Sequence, residues 1–149
     1  MQDEIFMRRA LELAKNAAEL GEVPVGAVIV RNGEIIAEGF NRREIDKNAT
    51  AHAELIAIDE ACKKLGGWRL WQCELFVTLE PCPMCAGAIV NSRIKRVVSA
   101  AKDPKAGAFG SLINLNSYPL NHKPKLEFGL LETEASALLR DFFSKLRKK

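Results

Sequence analysis

The sequence predicts an α/β fold in which a mixed sheet of about five strands lies between two layers of helices. After an initial hairpin, segments with helical spacing alternate with short runs rich in β-branched and apolar residues. The 149 residues are 48% hydrophobic and 28% charged, a composition typical of one globular domain with a full core. We therefore expect residues 1–149 to form a single three-layer α/β/α domain.

The N-terminal part is predicted to contain a helix, a hairpin and a second helix. Apolar residues recur at helical spacing in DEIFMRRALELAKNAAELG, with Asp3 as the N-cap candidate. In VPVGAVIVRNGEIIAEGFN, two apolar runs flank Asn32-Gly33, the strongest short signal for a hairpin. After a polar loop, Thr50 is predicted to cap a helix that runs to Leu65.

The alternation continues to the C-terminal end. CELFVTLE, RVVSAA and KLEFGLLE predict three more strands. Pro81 is predicted to open a helix after the first of them, because a missing N–H costs nothing in the first turn. The stretch from 112 to 124 has no clear assignment, and Thr133 is predicted to cap a last helix to about Lys145.

Composition also limits the location of the protein. No stretch approaches ~20 consecutive apolar residues, and the N-terminal segment interleaves charges with apolar positions, unlike a signal peptide. We expect a cytoplasmic protein with no membrane partner. In that compartment the four cysteines are expected to stay reduced, which favours metal binding or burial over disulfides.

Charge is unevenly distributed along the chain. Residues 1–92 contain 10 Lys and Arg against 14 Asp and Glu, whereas residues 93–149 contain 12 against 5, so the two parts carry −4 and +7. A basic part of this kind is expected of a surface that binds phosphates. A solvated basic face that maintains solubility explains the charge equally well.

Two cysteines and one histidine lie at predicted helix openings. Cys82 and Cys85 share one side of a first turn, where unpaired N–H groups and the helix dipole favour thiolates. His52 opens the preceding helix. Structural zinc sites normally have four protein ligands, and catalytic sites have three. Because the pattern offers no fourth ligand, it predicts a catalytic zinc. Cys62, on an apolar helical stripe, and Cys73, at a strand start, are interpreted as buried small hydrophobes, and His122 shows no ligand spacing.

Glu54, two residues after His52, is predicted to be the proton shuttle for the water that zinc activates. Positions i and i+2 point apart on a regular helix, so this role requires a metal at the helix mouth. A simpler interpretation, in which Glu54 complements the helix dipole and His52 is an ordinary histidine, suits each residue alone. The combination His-x-Glu with Pro-Cys-x-x-Cys favours zinc catalysis.

At these residues the chain resembles the zinc-dependent nucleobase deaminases, whose fold is cytidine deaminase-like, and the similarity to the bacterial tRNA adenosine deaminases is closer still. It runs nearly end to end, through GEVPVGAVIV, HAELIAIDEA, WRL, FVTLEPCPMCAGAIV, SRI, DPKAG, GSL, the NH pair at 121–122 and DFFSKLR. The resemblance implies hydrolytic deamination of adenosine to inosine at the wobble position of a tRNA anticodon. It also implies a homodimer with one Zn²⁺ per subunit.

The resemblance assigns roles to individual residues. His52, Cys82 and Cys85 would bind zinc, Glu54 would transfer the proton, and Asn41 would hydrogen-bond the flipped base. Further positions match those near the anticodon loop in the family, namely Asp103, Lys105, Asn121, Phe143 and Arg147. Phe143 suits base stacking or core packing equally well.

The chain departs from the family pattern around one loop. Ser99-Ala100-Ala101 stands in place of a glycine-containing turn, and Ala106, Ala108 and Phe109 replace small or Gly-rich residues. These departures leave the shape of the loop open. Elsewhere, two tryptophans, Trp68 and Trp71, are expected to contribute core and lid packing.

Two other functions remain open at this point. A deaminase of free bases or nucleosides, of the guanine or cytosine type, uses the same zinc chemistry without a basic surface. A non-catalytic, zinc-stabilised RNA-binding module would explain the basic surface, but not Glu54 or the three-ligand site.

Overall fold

The chain forms four helices and five strands in residues 2–147, the part that the computed structural model describes. In chain order these elements are α1 (Gln2–Glu19), β1 (Gly26–Arg31), β2 (Glu34–Phe40), α2 (Ala53–Leu65), β3 (Cys73–Leu79), α3 (Pro83–Ser92), β4 (Arg96–Ala101), β5 (Lys125–Phe128) and α4 (Glu132–Arg147). A short 3-10 turn, Leu115–Ser117, lies in the stretch that the sequence left unassigned.

The strands form one mixed sheet in the order β2-β1-β3-β4-β5. Strand β1 is antiparallel to both β2 and β3, whereas β3, β4 and β5 are parallel. Strands β2, β3, β4 and β5 therefore run in the same direction and end at the same edge of the sheet, and β1 runs in the opposite direction. Asn32 and Gly33 both have positive φ, 53° and 77°, as a tight hairpin turn requires. The predicted α/β class with a five-stranded mixed sheet is confirmed.

Helices cover both faces of the sheet. Alternate residues of β1 enter different cores: Ala27 and Ile29 pack in the core under α2 and α3, and Val28 and Val30 pack in the core under α1. Because side chains alternate across a strand, an almost wholly buried strand requires cover on both sides. The three-layer arrangement follows from this burial.

The structure corrects the predicted starts of the first and last helices. Asp3 lies inside α1, and its carboxylate pairs with Arg96 at 2.6 Å. Arg96 also pairs with Glu74 at 2.7 Å and with Glu127 at 2.5 Å, which joins α1, β3 and β5 to β4. Thr133 lies within α4 and does not cap it.

The predicted starts of α2 and α3 are also wrong, by two residues in each case. His52, and not Thr50, is the N-cap of α2, and the Thr50 hydroxyl donates to a neighbouring asparagine in the loop. Pro83, and not Pro81, occupies the first turn of α3, with Cys82 as its N-cap. Neither His52 nor Cys82 uses its side chain to cap its helix, which leaves both side chains available for other contacts.

The interpretation of the two tryptophans as core packing is wrong. Trp68 is 51% exposed and Trp71 is 59% exposed. The guanidinium of Arg69 lies 4.4 Å from the centre of the Trp68 ring, so this ring is covered by a cation. Both residues lie between α2 and β3, at the sheet edge opposite to the one where β2, β3 and β4 end.

None of the helices in residues 2–147 is both long and apolar enough to cross a membrane.

The packing of α1 against β1 predicts a large effect for one small substitution. A β-carbon at Gly26 would overlap the carbonyl oxygen of Ala10 in α1, so Gly26→Ala should lower the free energy of unfolding by about 2–3 kcal/mol. Gly87→Ala is the matched control, because its β-carbon meets nothing within 4 Å and a helical alanine is favoured by up to ~1 kcal/mol. Denaturant titration measures both, and equal unfolding midpoints for the two variants would contradict the packing argument.

Candidate active site

A cavity of about 190 Å³ opens at the edge of the sheet where β2, β3 and β4 end. Ligand sites of α/β sheets commonly lie beyond the carboxyl ends of the strands. Asn41 directly follows β2, Glu80 follows β3, and Asp103 lies two residues beyond β4. All three line the cavity together with His52, Glu54 and Cys82. The connections after three strands thus supply the walls of one site.

His52, Cys82 and Cys85 meet at the base of this cavity. Helices α2 and α3 pack side by side with their N-terminal ends at the same edge, which brings together residues 30 positions apart. Nδ1 of His52 lies 3.6 Å from Sγ of Cys82 and 3.5 Å from Sγ of Cys85. The three ligand atoms lie within 4.8 Å of one another.

This arrangement fits a zinc ion. Tetrahedral ligation with Zn–S near 2.3 Å and Zn–N near 2.0–2.1 Å separates the ligand atoms by about 3.5–3.8 Å, which agrees with the His52–cysteine distances. One imidazole and two thiols also form a donor set that zinc prefers. Within residues 2–147, no other group of three or more His, Cys, Asp or Glu side chains has ligand atoms close enough to hold a metal.

Protonation of the two thiols is strongly coupled. A hydrogen bond from Cys85 lowers the pKa of Cys82 to about 5, and the same bond raises the pKa of Cys85 above its ordinary value. Burial and the neighbouring Glu54 carboxyl raise the pKa of Cys85 further. One buried and one half-buried sulfur next to a buried carboxyl thus form a cluster of potential negative charge that a bound cation would stabilise.

Glu54 lies inside the cavity, where it is 4% exposed. Burial raises the pKa of its carboxyl to about 7. A carboxyl with a pKa near neutrality can both accept and return a proton, as a general acid–base catalyst must. Its side chain hydrogen-bonds Cys85, so Glu54 lies next to the candidate metal ligands and is not one of the three side chains whose ligand atoms cluster.

Asn41 is held rigidly in the cavity wall. Its amide nitrogen donates to the carbonyl of Val23 at 3.2 Å, and its amide oxygen accepts from the backbone N–H of Arg43 at 3.1 Å. The amide nitrogen of Asn41 still has one hydrogen to donate, and its amide oxygen can still accept one hydrogen bond. A buried carboxylate, Glu22, accepts from the backbone N–H groups of residues 44 and 45, which fixes the loop beyond Asn41.

The loop after β4 forms the opposite wall. Oδ1 of Asp103 accepts from the backbone N–H groups of Lys105 and Ala106 at 3.1 and 3.2 Å, which turns the chain over the cavity. Glu80 accepts from the backbone of the same loop. Neither Glu22 nor Glu80 was assigned a role from the sequence. An acidic residue directly after a buried strand is the only local signal for Glu80.

The departures from the family pattern lie in this loop and in the strand before it. Ala108 and Phe109 are buried in the core under α2 and α3, and Ala106 faces the cavity. Ser99 is buried within β4, where its carbonyl accepts from the backbone of Gly129. The larger Phe109 side chain therefore anchors the loop in the core.

A second concave surface adjoins the first. This basic groove of about 630 Å³ is lined by Lys105, Leu139, Arg140, Asp141, Phe143, Ser144 and Arg147. Lys105 belongs to the loop that forms the cavity wall, so groove and cavity share that loop. Phe143 is 39% exposed and meets Phe142 edge-to-face, so one of its sides packs and the other is accessible. The terminal Lys148 and Lys149 lie outside the described residues.

The remaining residues singled out from the sequence lie elsewhere. Asn121 is exposed and lines neither the cavity nor the groove. Its neighbour His122 contacts the carbonyl of Ile94 at 2.6 Å, at the far edge of the sheet. Cys73 is buried and Cys62 packs partly against the core, as their interpretation as hydrophobes predicts.

A family model described as MafB19-like deaminase matches residues 1–147. The chain is 54% identical to a tRNA-specific adenosine deaminase of Bacillus subtilis (strain 168), over 99% of this chain and 92% of the relative. It is 53% identical to a tRNA-specific adenosine deaminase of Aquifex aeolicus (strain VF5), over 99% of this chain and 97% of that protein.

Solved structures show the same resemblance. One from a study of A-to-I editing by tRNA:A34 deaminases at the wobble position superposes with a TM-score of 0.88 and 46% identity, covering 90% of this chain and 98% of that one. A guanine deaminase from Nitrosomonas europaea superposes with a TM-score of 0.84 and 29% identity, covering 95% of this chain and 84% of the other. The fold is thus shared by enzymes that differ in substrate size.

Proposed function

The chain belongs to the family of tRNA-specific adenosine deaminases, and from that premise we propose that it hydrolyses adenosine to inosine at the wobble position of a tRNA anticodon. The observation that carries the proposal is the juxtaposition of a His/Cys/Cys cluster and Glu54 with a basic groove. The cluster and Glu54 account for hydrolytic deamination, and the groove accounts for a substrate larger than a base.

His52, Cys82 and Cys85 would hold one Zn²⁺ per chain. When bound there, the ion supplies Lewis acidity that lowers the pKa of a water molecule and makes it a nucleophile at neutral pH. The chain itself positions the three side chains that would bind the ion. Two ligands come from helix openings and the third, Cys85, from the first turn of α3, so the open side of the cluster faces the cavity.

Glu54 moves the proton. Its carboxylate accepts a proton from the attacking water and passes it to the ring nitrogen beside the reacting carbon. It then carries the proton of the new hydroxyl group to the amino group that leaves as ammonia, so the ring carbon keeps the oxygen as a carbonyl. A carboxyl pKa near 7 suits both transfers, because the group is neither a strong acid nor a strong base at neutral pH. Burial excludes bulk water that would compete for the proton.

Asn41 and Asp103 are proposed to contact the substrate from opposite walls. The free hydrogen-bonding positions of the Asn41 amide suit the edge of a flipped adenine, which offers both donors and acceptors. Asp103 is held by its own loop, so its carboxylate is already oriented before substrate arrives.

Lys105, Phe143 and Arg147 are proposed to bind the anticodon loop. A single-stranded loop with splayed bases requires cations for its phosphates and an aromatic surface for stacking, and the groove supplies both. A free base needs neither, so the groove favours RNA over the guanine-type substrates of the more distant structural relative. It also matches the excess of positive charge in residues 93–149.

The active unit is proposed to be a homodimer of single-domain chains that span residues 1–149 and act in the cytoplasm, where tRNA is available. Large apolar side chains are exposed on Met84 of α3 and on residues 112–120, whose 3-10 turn packs against α3; they are Leu112, Ile113, Tyr118 and Leu120. An apolar surface of this kind is typical of a subunit contact. Asn121 directly follows it, so its predicted RNA contact is proposed for the dimer and not for the single chain.

The function is tested by supplying two classes of substrate to the purified protein. An anticodon stem-loop with a wobble adenosine should yield inosine, whereas free guanine, cytosine and their nucleosides should release no ammonia. Nucleoside analysis after digestion and an ammonia assay give the two readings. Deamination of free bases with an inert stem-loop would exclude the proposed substrate, and RNA binding without any deamination would indicate a non-catalytic module.

The same assay tests the groove. Arg147→Ala should raise the KM for the stem-loop several-fold and reduce the slope of log affinity against log salt by about 1, because one phosphate contact is lost. Arg8→Ala, an exposed arginine on α1, is the matched control and should leave both unchanged.

The roles within the cluster are separated by two variants. Glu54→Ala should retain one zinc per chain and lose turnover by at least ~100-fold, because proton transfer is removed while the ligands remain. Cys82→Ala should lose both zinc and turnover. Elemental analysis beside the activity assay distinguishes them, and loss of zinc in Glu54→Ala would instead identify Glu54 as a ligand.

The dimer is tested by static light scattering. The wild-type mass should equal two chains of 16.5 kDa each, and Leu112→Glu should reduce it to one because a charge is placed in the apolar surface. Leu20→Glu is the matched control, since Leu20 is 55% exposed on another face and Leu112 is 57% exposed. A wild-type mass of one chain would refute the dimer.

A further inference from the structure

Glu80 is a buried carboxylate for which the proposed chemistry has no use. It is 2% exposed and lies between the end of β3 and the Pro81-Cys82 pair. Its Oε1 accepts from the backbone N–H of Asp103 at 3.1 Å and from the Ser111 hydroxyl. Its Oε2 accepts from the backbone N–H groups of Phe109 and Ser111 at 3.0 and 3.1 Å.

The four hydrogen bonds all reach one loop, residues 102–111. The loop closes tightly around the carboxylate, because a β-carbon at Gly107 would overlap the Glu80 carboxyl group. A backbone bond of 2.9 Å from Ala108 to the carbonyl of Pro81 adds a further tie to the same segment. The carboxylate therefore lies at the centre of the loop.

A charge buried in this way is stable only while its donors remain in place. Moving the loop outward would leave an ionised carboxylate without partners in a dry environment, at a high cost in free energy. Bonds between N–H donors and a carboxylate are also stronger than bonds between neutral groups. Intermediate positions of the loop, in which only some of the donors reach the Glu80 carboxylate, are therefore unfavourable.

We propose that Glu80 is a positioning residue that sets the affinity for RNA by fixing this loop against the site. The loop carries Asp103 and Ala106 of the cavity wall and Lys105 of the basic groove, and Glu80 ties it to the strand end next to the metal ligand Cys82. One carboxylate thereby sets the distance between the reacting centre and the RNA-binding surface. The inference rests on the proposed function.

Glu80→Gln is the variant that tests this role. It preserves size but replaces one acceptor oxygen by an amide donor. The amide then faces either the two N–H groups at Oε2, or the Asp103 N–H and the Ser111 hydroxyl at Oε1, so at least one hydrogen bond to the loop backbone is lost in either orientation. The KM for the stem-loop should rise ~10-fold or more, with kcat changed by less than ~3-fold and zinc content unchanged. Ser111→Ala removes only the hydroxyl donor and should give a smaller rise in KM.

Glu74→Gln is the matched control. It makes the same chemical change in a partly buried glutamate that pairs with Arg96 at the opposite edge of the sheet. Its stem-loop KM should equal the wild-type value. General destabilisation would lower the active fraction, and so the apparent kcat, at unchanged KM. A kcat loss at unchanged KM in Glu80→Gln would therefore overturn the positioning role.

Hydrogen–deuterium exchange supplies a reading that does not depend on activity. Backbone amides of residues 103–111 should exchange at least ~10-fold faster in Glu80→Gln than in the wild type or in Glu74→Gln. Unchanged exchange would overturn the inference whatever the kinetics show. Faster exchange at unchanged KM would show a loop anchor that does not position RNA, which also overturns it.

The two proposals fail in distinguishable ways. If the wild type leaves the stem-loop unmodified, the proposed function fails and the role of Glu80 in RNA affinity fails with it. The exchange experiment then still decides whether Glu80 anchors the loop. If the wild type is active and only the Glu80 expectations are missed, the function stands and the inference falls.

Discussion

Side-by-side packing of α2 and α3 is the constraint on which the site depends. Both helices lie on one face of the sheet, and both begin at the edge where β2 and β3 end. Their first residues, His52 and Cys82, thereby come within 3.6 Å although 30 positions separate them. As N-caps with extended backbones, both direct their side chains away from their helices. A shift of either helix by one turn, about 5.4 Å, would separate the candidate ligands.

Small residues make this packing close. The core under α2 and α3 contains Ala53, Ala57 and Ala61 on successive turns of α2, all fully buried. Gly39 of β2 faces the same helix, since a β-carbon there would overlap the carbonyl oxygen of Ala53. The helix consequently lies almost on the strand backbone, where its N-terminal end has little freedom to move. The close packing of α2 on β2 therefore also holds His52, at the N-terminal end of α2, in a fixed position.

Around this rigid centre, buried carboxylates organise the more irregular walls. Glu22 accepts from the loop that follows Asn41, and Glu80 accepts from the loop that carries Asp103. Loops lack the repeating hydrogen bonds of helices and strands, so their backbone N–H groups require other acceptors when buried. The same bonds that satisfy those groups also fix the shape of the cavity. The proposed role of Glu54 is chemical, and burial raises the pKa of its carboxyl to about 7.

Local patterns in the sequence determined most of the elements and the reactive group. The Asn32-Gly33 turn, the Cys82/Cys85 pair and the His52/Glu54 pair each depend on neighbours a few residues apart, where spacing alone has physical meaning. The predicted starts of α2 and α3 were wrong because Thr50 and Pro81 are favourable residues for the start of a helix when only their neighbours in sequence are considered. Long-range packing instead selected His52 and Cys82. The exposure of Trp68 and Trp71 likewise could not be read from their hydrophobicity, because only the order of the strands puts them at an open edge.

The hydrogen bonds of Glu80 could not be predicted from the sequence. Its donors lie 23 to 31 residues further along the chain, and no periodicity links a strand end to the backbone of a distant loop. The sequence by itself determined which residues are candidates to hold a metal and to carry the proton, because that chemistry requires particular side chains in the His-x-Glu and Cys-x-x-Cys patterns. Only the tertiary structure decided which walls surround them, since those walls are backbone groups whose positions follow from the parallel order of β3 and β4.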